Sequence, residues 1–322
     1  MKKITFLILS LFSLSCFAQE KSVFNLYQDT LQNICKNLYT PGKSDADKQK
    51  YNRELLITFE RVLNTDNSFD FPFDSLKKDM AILLSPDEKF RIINWDLAKD
   101  DGTYEYYGFI QMKHAEPNMK SLYPLIDKSA EIKNPENAIS DNKKWFGMLY
   151  YYIIPKKVKK KTYYTLLGRD GNDKLSIKKI IDVLTFDANG TPHFGANIFN
   201  MQKKYPKRVI FEYSASCKMS LKYNDKKDSI VFDHLAPTQP QLEGQFQYYC
   251  GDMSYDGFGF KKGQWNYGID LNAINNKDYK DKLYNDPQKK SNDKNSTPLK
   301  DLKNVPYSEP KDKSPLDKKS KK

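Results

Sequence analysis

Three histidines, His114, His193 and His234, are the side chains of this 322-residue chain best suited to proton transfer or metal ligation near neutral pH. Their spacing does not assemble a site by itself. There is no His-Glu-x-x-His and no His-x-His, and a transition-metal centre needs three or four converging ligands. Asp233 precedes His234, and Glu116 lies two residues after His114. Adjacent residues of a strand point to opposite faces, so Asp233 and His234 would share a ligand set only across a bulge. Asp170-Gly171-Asn172-Asp173 has the oxygen donors of a calcium loop but lacks the downstream bidentate Glu, and the same four residues suit a tight hairpin turn. No Gly-x-Ser-x-Gly elbow and no phosphate-binding glycine loop is present. Neither a metal nor a cofactor is expected. Acid pairs for hydrolysis are brought together by the fold, at roughly 5–10 Å, and sequence distance does not reveal them.

The aromatic residues offer a second kind of chemistry. With 22 Tyr, 19 Phe and 3 Trp, the chain has rings enough to stack on a sugar or grip a protein partner. Most must fill a core poor in Leu and Val. A binding face is expected around Tyr104, Tyr106, Tyr107, Tyr255 and Trp265.

The elements that carry these residues change along the chain. Val23, Tyr27, Leu31, Ile34 and Leu38 recur at helical spacing, and Pro41-Gly42 stops that helix. A second helix follows Ser44 as N-cap, with Tyr51, Leu55, Leu56, Phe59, Val62 and Leu63 on one face. A third short helix is predicted to start at Asp74 or Ser75 and to end before Pro86. From Lys89 onward, short β-type segments alternate with turn signals such as Ala188-Asn189-Gly190 and Lys262-Gly263. Their short connections favour antiparallel hairpins over parallel units. The run Lys156 to Lys161 reads as an exposed hairpin tip. The expected fold is α+β, mostly β, with N-terminal helices packed on an antiparallel meander that is sandwich- or barrel-like. A looser aromatic-Asp-turn pattern at Trp95-Asp96, Phe186-Asp187 and Tyr255-Asp256 leaves a propeller-like arrangement as the minority alternative.

Charge and termini supply the context. Lys2 and Lys3, the apolar run Ile4 to Leu14 and the small Ala18 read as a signal peptide over residues 1–18, which predicts an extracytoplasmic (periplasmic or secreted) location. A lipid anchor on Cys16 is the alternative, although no Leu stands three residues before it. Of the net charge of +12, residues 275–322 carry +6 (14 Lys against 8 acids). The two leader lysines leave +4 for the rest, which argues against a nucleic-acid partner. The Lys/Asp/Pro-rich segment 275–322 is expected to be a disordered tail. A helical region over 19–86 and an antiparallel β domain over 87–274 complete the organisation. No transmembrane segment is expected after signal removal. Without Cys16, three cysteines remain. Cys35 falls on a helix stripe, and Cys217 and Cys250 form the candidate disulfide pair, with three separate buried thiols as the alternative.

The segments Tyr163 to Asp173 (YYTLLGRDGND), Lys179 to Phe194 (KIIDVLTFDANGTPHF), Arg208 to Tyr213 and Phe232-Asp233-His234-Leu235 resemble an uncharacterised family of exported bacterial β-rich proteins with no known activity. The resemblance covers roughly Phe71 to Leu271. It implies an exported β-rich domain and carries over no functional residue. The function expected from the sequence is a non-catalytic binding or accessory protein of the cell envelope, its partner an envelope polymer or protein. An exported hydrolase with acidic catalytic residues is the alternative.

Overall fold

The computed structural model describes residues 23–113 and 120–268. The expected signal peptide, Cys16, His114, Glu116 and the basic segment 275–322 lie outside the described residues.

Two helices open the described chain. In α1 (residues 23–38) the buried positions are Phe24, Leu31, Ile34, Cys35 and Leu38, one stripe at three- and four-residue steps, while Val23 is exposed. Pro41 and Gly42 then turn the chain, and Gly42 takes φ +81°, a conformation that favours glycine. Ser44 caps α2 (Asp45–Leu63) by accepting from the Asp47 N–H at 3.2 Å. Its buried face is Asn52, Leu55, Phe59, Val62 and Leu63.

The third predicted helix is replaced by a 3-10 turn (Asp74–Leu76) and a strand, β1 (Ala81–Leu84). A four-residue apolar run, Ala-Ile-Leu-Leu, is too short for periodicity to separate helix from strand. Pairing with β2 (Phe90–Ala98) decides it. This also removes the boundary expected near residue 86, because β1 and β2 belong to one sheet. The described residues all fall within one compact unit.

Three sheets follow, antiparallel but for one short pair. The first is a meander, β1-β2-β3-β4, with β3 (Tyr104–Met112) and β4 (Leu122–Ile126). The second has six strands: β5 (Ser140–Asp141), β6 (Leu149–Val158), β7 (Lys161–Asp170), β8 (Ser176–Phe186), β9 (Pro192–Phe194) and β11 (Val209–Ser214). In the third, β12 (Leu221–Asn224), β13 (Ser229–Pro237), β14 (Tyr249–Lys261) and β15 (Gln264–Gly268) are antiparallel. The short β10 (Phe199–Asn200) joins β15 in parallel.

The layers stack helix, sheet, sheet, sheet. Phe59, Val62 and Leu55 of α2 meet Ile93, Trp95 and Phe109 on one face of the first sheet. Its other face, with Phe90, Ile92, Tyr106 and Ile110, meets Tyr150, Leu166, Ile180 and Leu184 of the second. Ile154, Leu167, Ile181 and Val183, on the second sheet's far side, meet Ile230, Phe232, Phe258 and Trp265 of the third. The second sheet is thus covered on both faces, and its long strands read as nearly continuous apolar runs such as Ile180-Ile181-Asp182-Val183-Leu184. The stack is a layered sandwich of successive sheets and not a closed barrel.

Charged groups are built into these layers with partners. Arg91 is buried, and its guanidinium donates to Gln111 Oε1 (2.8 Å) and to the carbonyls of Phe71 (2.7 Å) and Ser68 (2.8 Å). Asp182 and Arg208, both 0 % exposed, pair at 3.1 Å in the second sheet's core. The β6–β7 tip is the two-residue turn Lys159-Lys160, as expected for an exposed hairpin. Lys156 departs from that expectation. Its ammonium pairs with Asp228 and lies over the rings of Tyr223, Phe260 and Trp265 at 5.1–5.6 Å. Cys217 and Cys250 form a disulfide with Cα atoms 5.7 Å apart, joining the β11–β12 connection to the start of β14. Cys35 is a buried free thiol whose pKa is pushed up to about 12, first by burial and then by Asp79. Among the described residues, no helix is long and apolar enough to cross a membrane.

Candidate functional site

A groove of about 920 Å³ opens where β4 ends and the chain crosses from the first sheet to the second. The register of β4 on β3 stops at Ile126 opposite Tyr107. Asp127 then continues the ladder with its side chain. Its Oδ2 accepts the backbone N–H of Tyr106 at 3.1 Å, and its Oδ1 accepts from Ser129 N (2.9 Å) and Oγ (2.6 Å). The second sheet comes close at Gly147, where an added Cβ would lie 2.4 Å from the Asp127 carboxyl. On the opposite side stands the Asp170–Asp173 turn, which joins β7 to β8 as the sequence predicts. Asp170 Oδ1 accepts from the Tyr106 hydroxyl (2.9 Å) and from Asn172 N (2.8 Å), and Gly171 N donates to the same hydroxyl at 2.7 Å.

Tyr106 therefore bonds two carboxylates, Asp127 through its backbone and Asp170 through its hydroxyl. Burial raises the Asp170 carboxyl above the ordinary carboxylate range, with Asp127 adding to the rise, against the bonds from Asn172 and Tyr106. Burial and Asp170 likewise raise the Tyr106 phenol. On the helix side of β3, Glu105 Oε2 accepts from the Tyr107 hydroxyl (2.6 Å) and Gln49 Nε2 (2.7 Å), and Lys99 lies 3.6 Å from its other oxygen. Glu131 pairs with Lys128 at 2.6 Å, which lowers its pKa. Each of these four acids is already an acceptor within the fold. Exposed on its walls are Ile57 of α2 (59 %) and Ile126 of β4 (44 %), with the charged Glu60, Lys128 and Glu131 around them.

The structure divides the five aromatic residues expected to form one face. Tyr104 and Tyr107 are half-buried and line the groove. Tyr106 is 3 % exposed, because the even-numbered positions of β3 face the second sheet. Trp265 is fully buried between the second and third sheets, its indole N–H on Thr165 Oγ1 at 2.9 Å. Tyr255 is exposed, but on β14 of the third sheet. Five residues on two sheets do not make one face, and both Tyr106 and Trp265 are core residues. The residues missed by sequence reading are Asp127 and Ser129, and the second role of Asp170. The four-residue turn motif marked Asp170, but not its tyrosine partner 64 positions away.

The histidines lie elsewhere. His193 Nε2 is 3.3 Å from Asp187 in the turn before β9. His234 sits opposite the bulge of β14, where Asp233 pairs with Tyr255 and Leu235 with Gly251. Its Nδ1 is 2.7 Å from Asp256 Oδ2, which also accepts the Tyr267 hydroxyl at 2.5 Å. Hydrogen bonding to the buried Asp256 raises the imidazole pKa. Among the described residues, no group of three or more His, Cys, Asp or Glu side chains is arranged to hold a metal ion. No protein-family model matches the chain, and no curated protein or solved structure shows significant similarity to it.

Proposed function

We propose that this chain is an exported, non-catalytic binding protein that takes a partner from the cell envelope in the groove between β3, β4 and the Asp170 turn. The observation that carries the reading is the division of labour in the groove. Four of its five carboxylates are held as acceptors by the fold, Glu60 on the rim of α2 being the exception, while Ile57 and Ile126 stand exposed on its walls. Exposed apolar side chains flanking a hollow of this size favour association over proton transfer. The test is co-sedimentation of the purified protein with isolated envelope. Ile57→Asp and Ile126→Asp should each weaken retention at least tenfold, Ile57→Asp with little change in thermal midpoint, since that side chain is already largely in water. Undiminished retention of both variants would sink the proposal.

A second reading rests on Tyr106. Two carboxylates bonded to one tyrosine, one of them raised in pKa, also suit acid-assisted hydrolysis. Release of soluble fragments from envelope by the wild-type protein, abolished in Asp170→Asn, would establish it over the binding reading.

A further inference from the structure

A second hollow, of about 600 Å³, lies between the α1–α2 connection, the end of β2 and the end of β7. It shares only Tyr104 with the groove, whose ring lies against Gly171 so closely that an added Cβ would come within 2.3 Å of it. Two opposite charges face this hollow, and the fold uses neither. Asp96, half-buried on β2, makes no hydrogen bond or ion pair through its carboxylate with another described residue. Its backbone carbonyl, by contrast, accepts from the Tyr39 hydroxyl. The guanidinium of Arg169, half-buried on β7, makes no hydrogen bond, ion pair or ring contact with any described residue. The two feel each other electrostatically without pairing: burial raises the Asp96 carboxyl, and Arg169 opposes the rise.

Several other charged groups of the molecule are engaged. Arg91 and Arg208 are both engaged with acceptors, and Lys48 at the mouth of the same hollow is bonded to Asp45, Asp100 and the Ala98 carbonyl. A half-buried carboxylate and guanidinium left apart forgo charge-assisted bonds that a ligand can supply. A ligand carrying one charge would satisfy one group and leave the other. A ligand carrying both would satisfy both. Leu38, Pro41, Leu97 and the Tyr104 ring supply apolar walls for the carbon between them.

We propose that this hollow binds a small zwitterion of the amino-acid class, its ammonium on Asp96 and its carboxylate on Arg169. The site is separate from the groove and stands or falls without it. Calorimetric titration of the full chain with glycine, alanine, β-alanine, 4-aminobutyrate and 5-aminopentanoate tests the class and reads the spacing between the charges. Acetate and methylammonium are the single-charge controls. One zwitterion should bind at least tenfold more tightly than either control. Asp96→Asn and Arg169→Gln should each weaken it at least tenfold, and Ile57→Asp in the groove should leave it unchanged. The proposal is overturned if no zwitterion saturates by about 10 mM, if a control binds as well, or if binding ignores the two substitutions. The wild-type comparison with single-charge controls decides the matter even if a variant fails to fold.

Discussion

His234 is the side chain through which this protein should sense pH. Its imidazole is bonded to the buried Asp256, and its pKa is raised from the ordinary 6.5. A group raised on folding contributes stability that is complete below its unfolded pKa and is lost as pH climbs through the folded one. Asp256 and Asp252 both push the imidazole up, outweighing the opposing effect of partial burial. The difference in urea midpoint between wild type and His234→Asn should therefore be largest near pH 5–6 and shrink above neutrality. A difference that grows with pH would refute the assignment. At this scale sequence reading succeeded where chemistry was local. Ser44 caps a helix and Asp170 starts a turn. It failed where a partner is far along the chain. Nothing near Tyr106 reveals that its hydroxyl meets Asp170, nor does anything near Trp265 reveal Thr165 a hundred positions away.

The elements show why a groove exists at all. β4 is a five-residue edge strand, too short to cover β3, and Asp127 closes the last rung with a carboxylate in place of backbone. Gly147 lets the second sheet close on that carboxylate. Gly147→Ala should force Asp127 off the Tyr106 N–H, costing about 1–3 kcal/mol by overpacking and lost hydrogen bonding, measurable by chemical denaturation. An unchanged midpoint would mean that the Asp127 contact does not shape the groove. Most long strands were legible because alternation and Gly- or Asn-rich turns bracket them. β1, β4, β5, β9 and β10 were not, since two to five residues carry too little pattern to stand apart from loop. The third predicted helix became a strand for the same reason: pairing with β2 supplied the information that four apolar residues lacked.

For the molecule as a whole, the order of layers matters more than any single contact. The helices bury Trp95 and Phe109 on a sheet whose opposite face is already committed to the second sheet. A chain lacking residues 1–63 should expose that face and precipitate or bind a hydrophobic dye, whereas the full chain should not. A soluble truncated chain with an unchanged melt would show the helices to be an accessory layer. Mostly-β architecture with helices at the N-terminal end follows from composition and periodicity. The stacking of three sheets does not, because which faces meet depends on long-range pairing. The third sheet makes this plain. β10 waits for β15, more than sixty residues later, before its parallel rungs can form. At ribosomal speeds of about 5–20 residues per second, the interval between completing β8 and completing β15 is roughly 4–16 s. During that time one apolar side of the central sheet has no cover, so a nascent chain stalled short of Gly268 would be the form most in need of a chaperone.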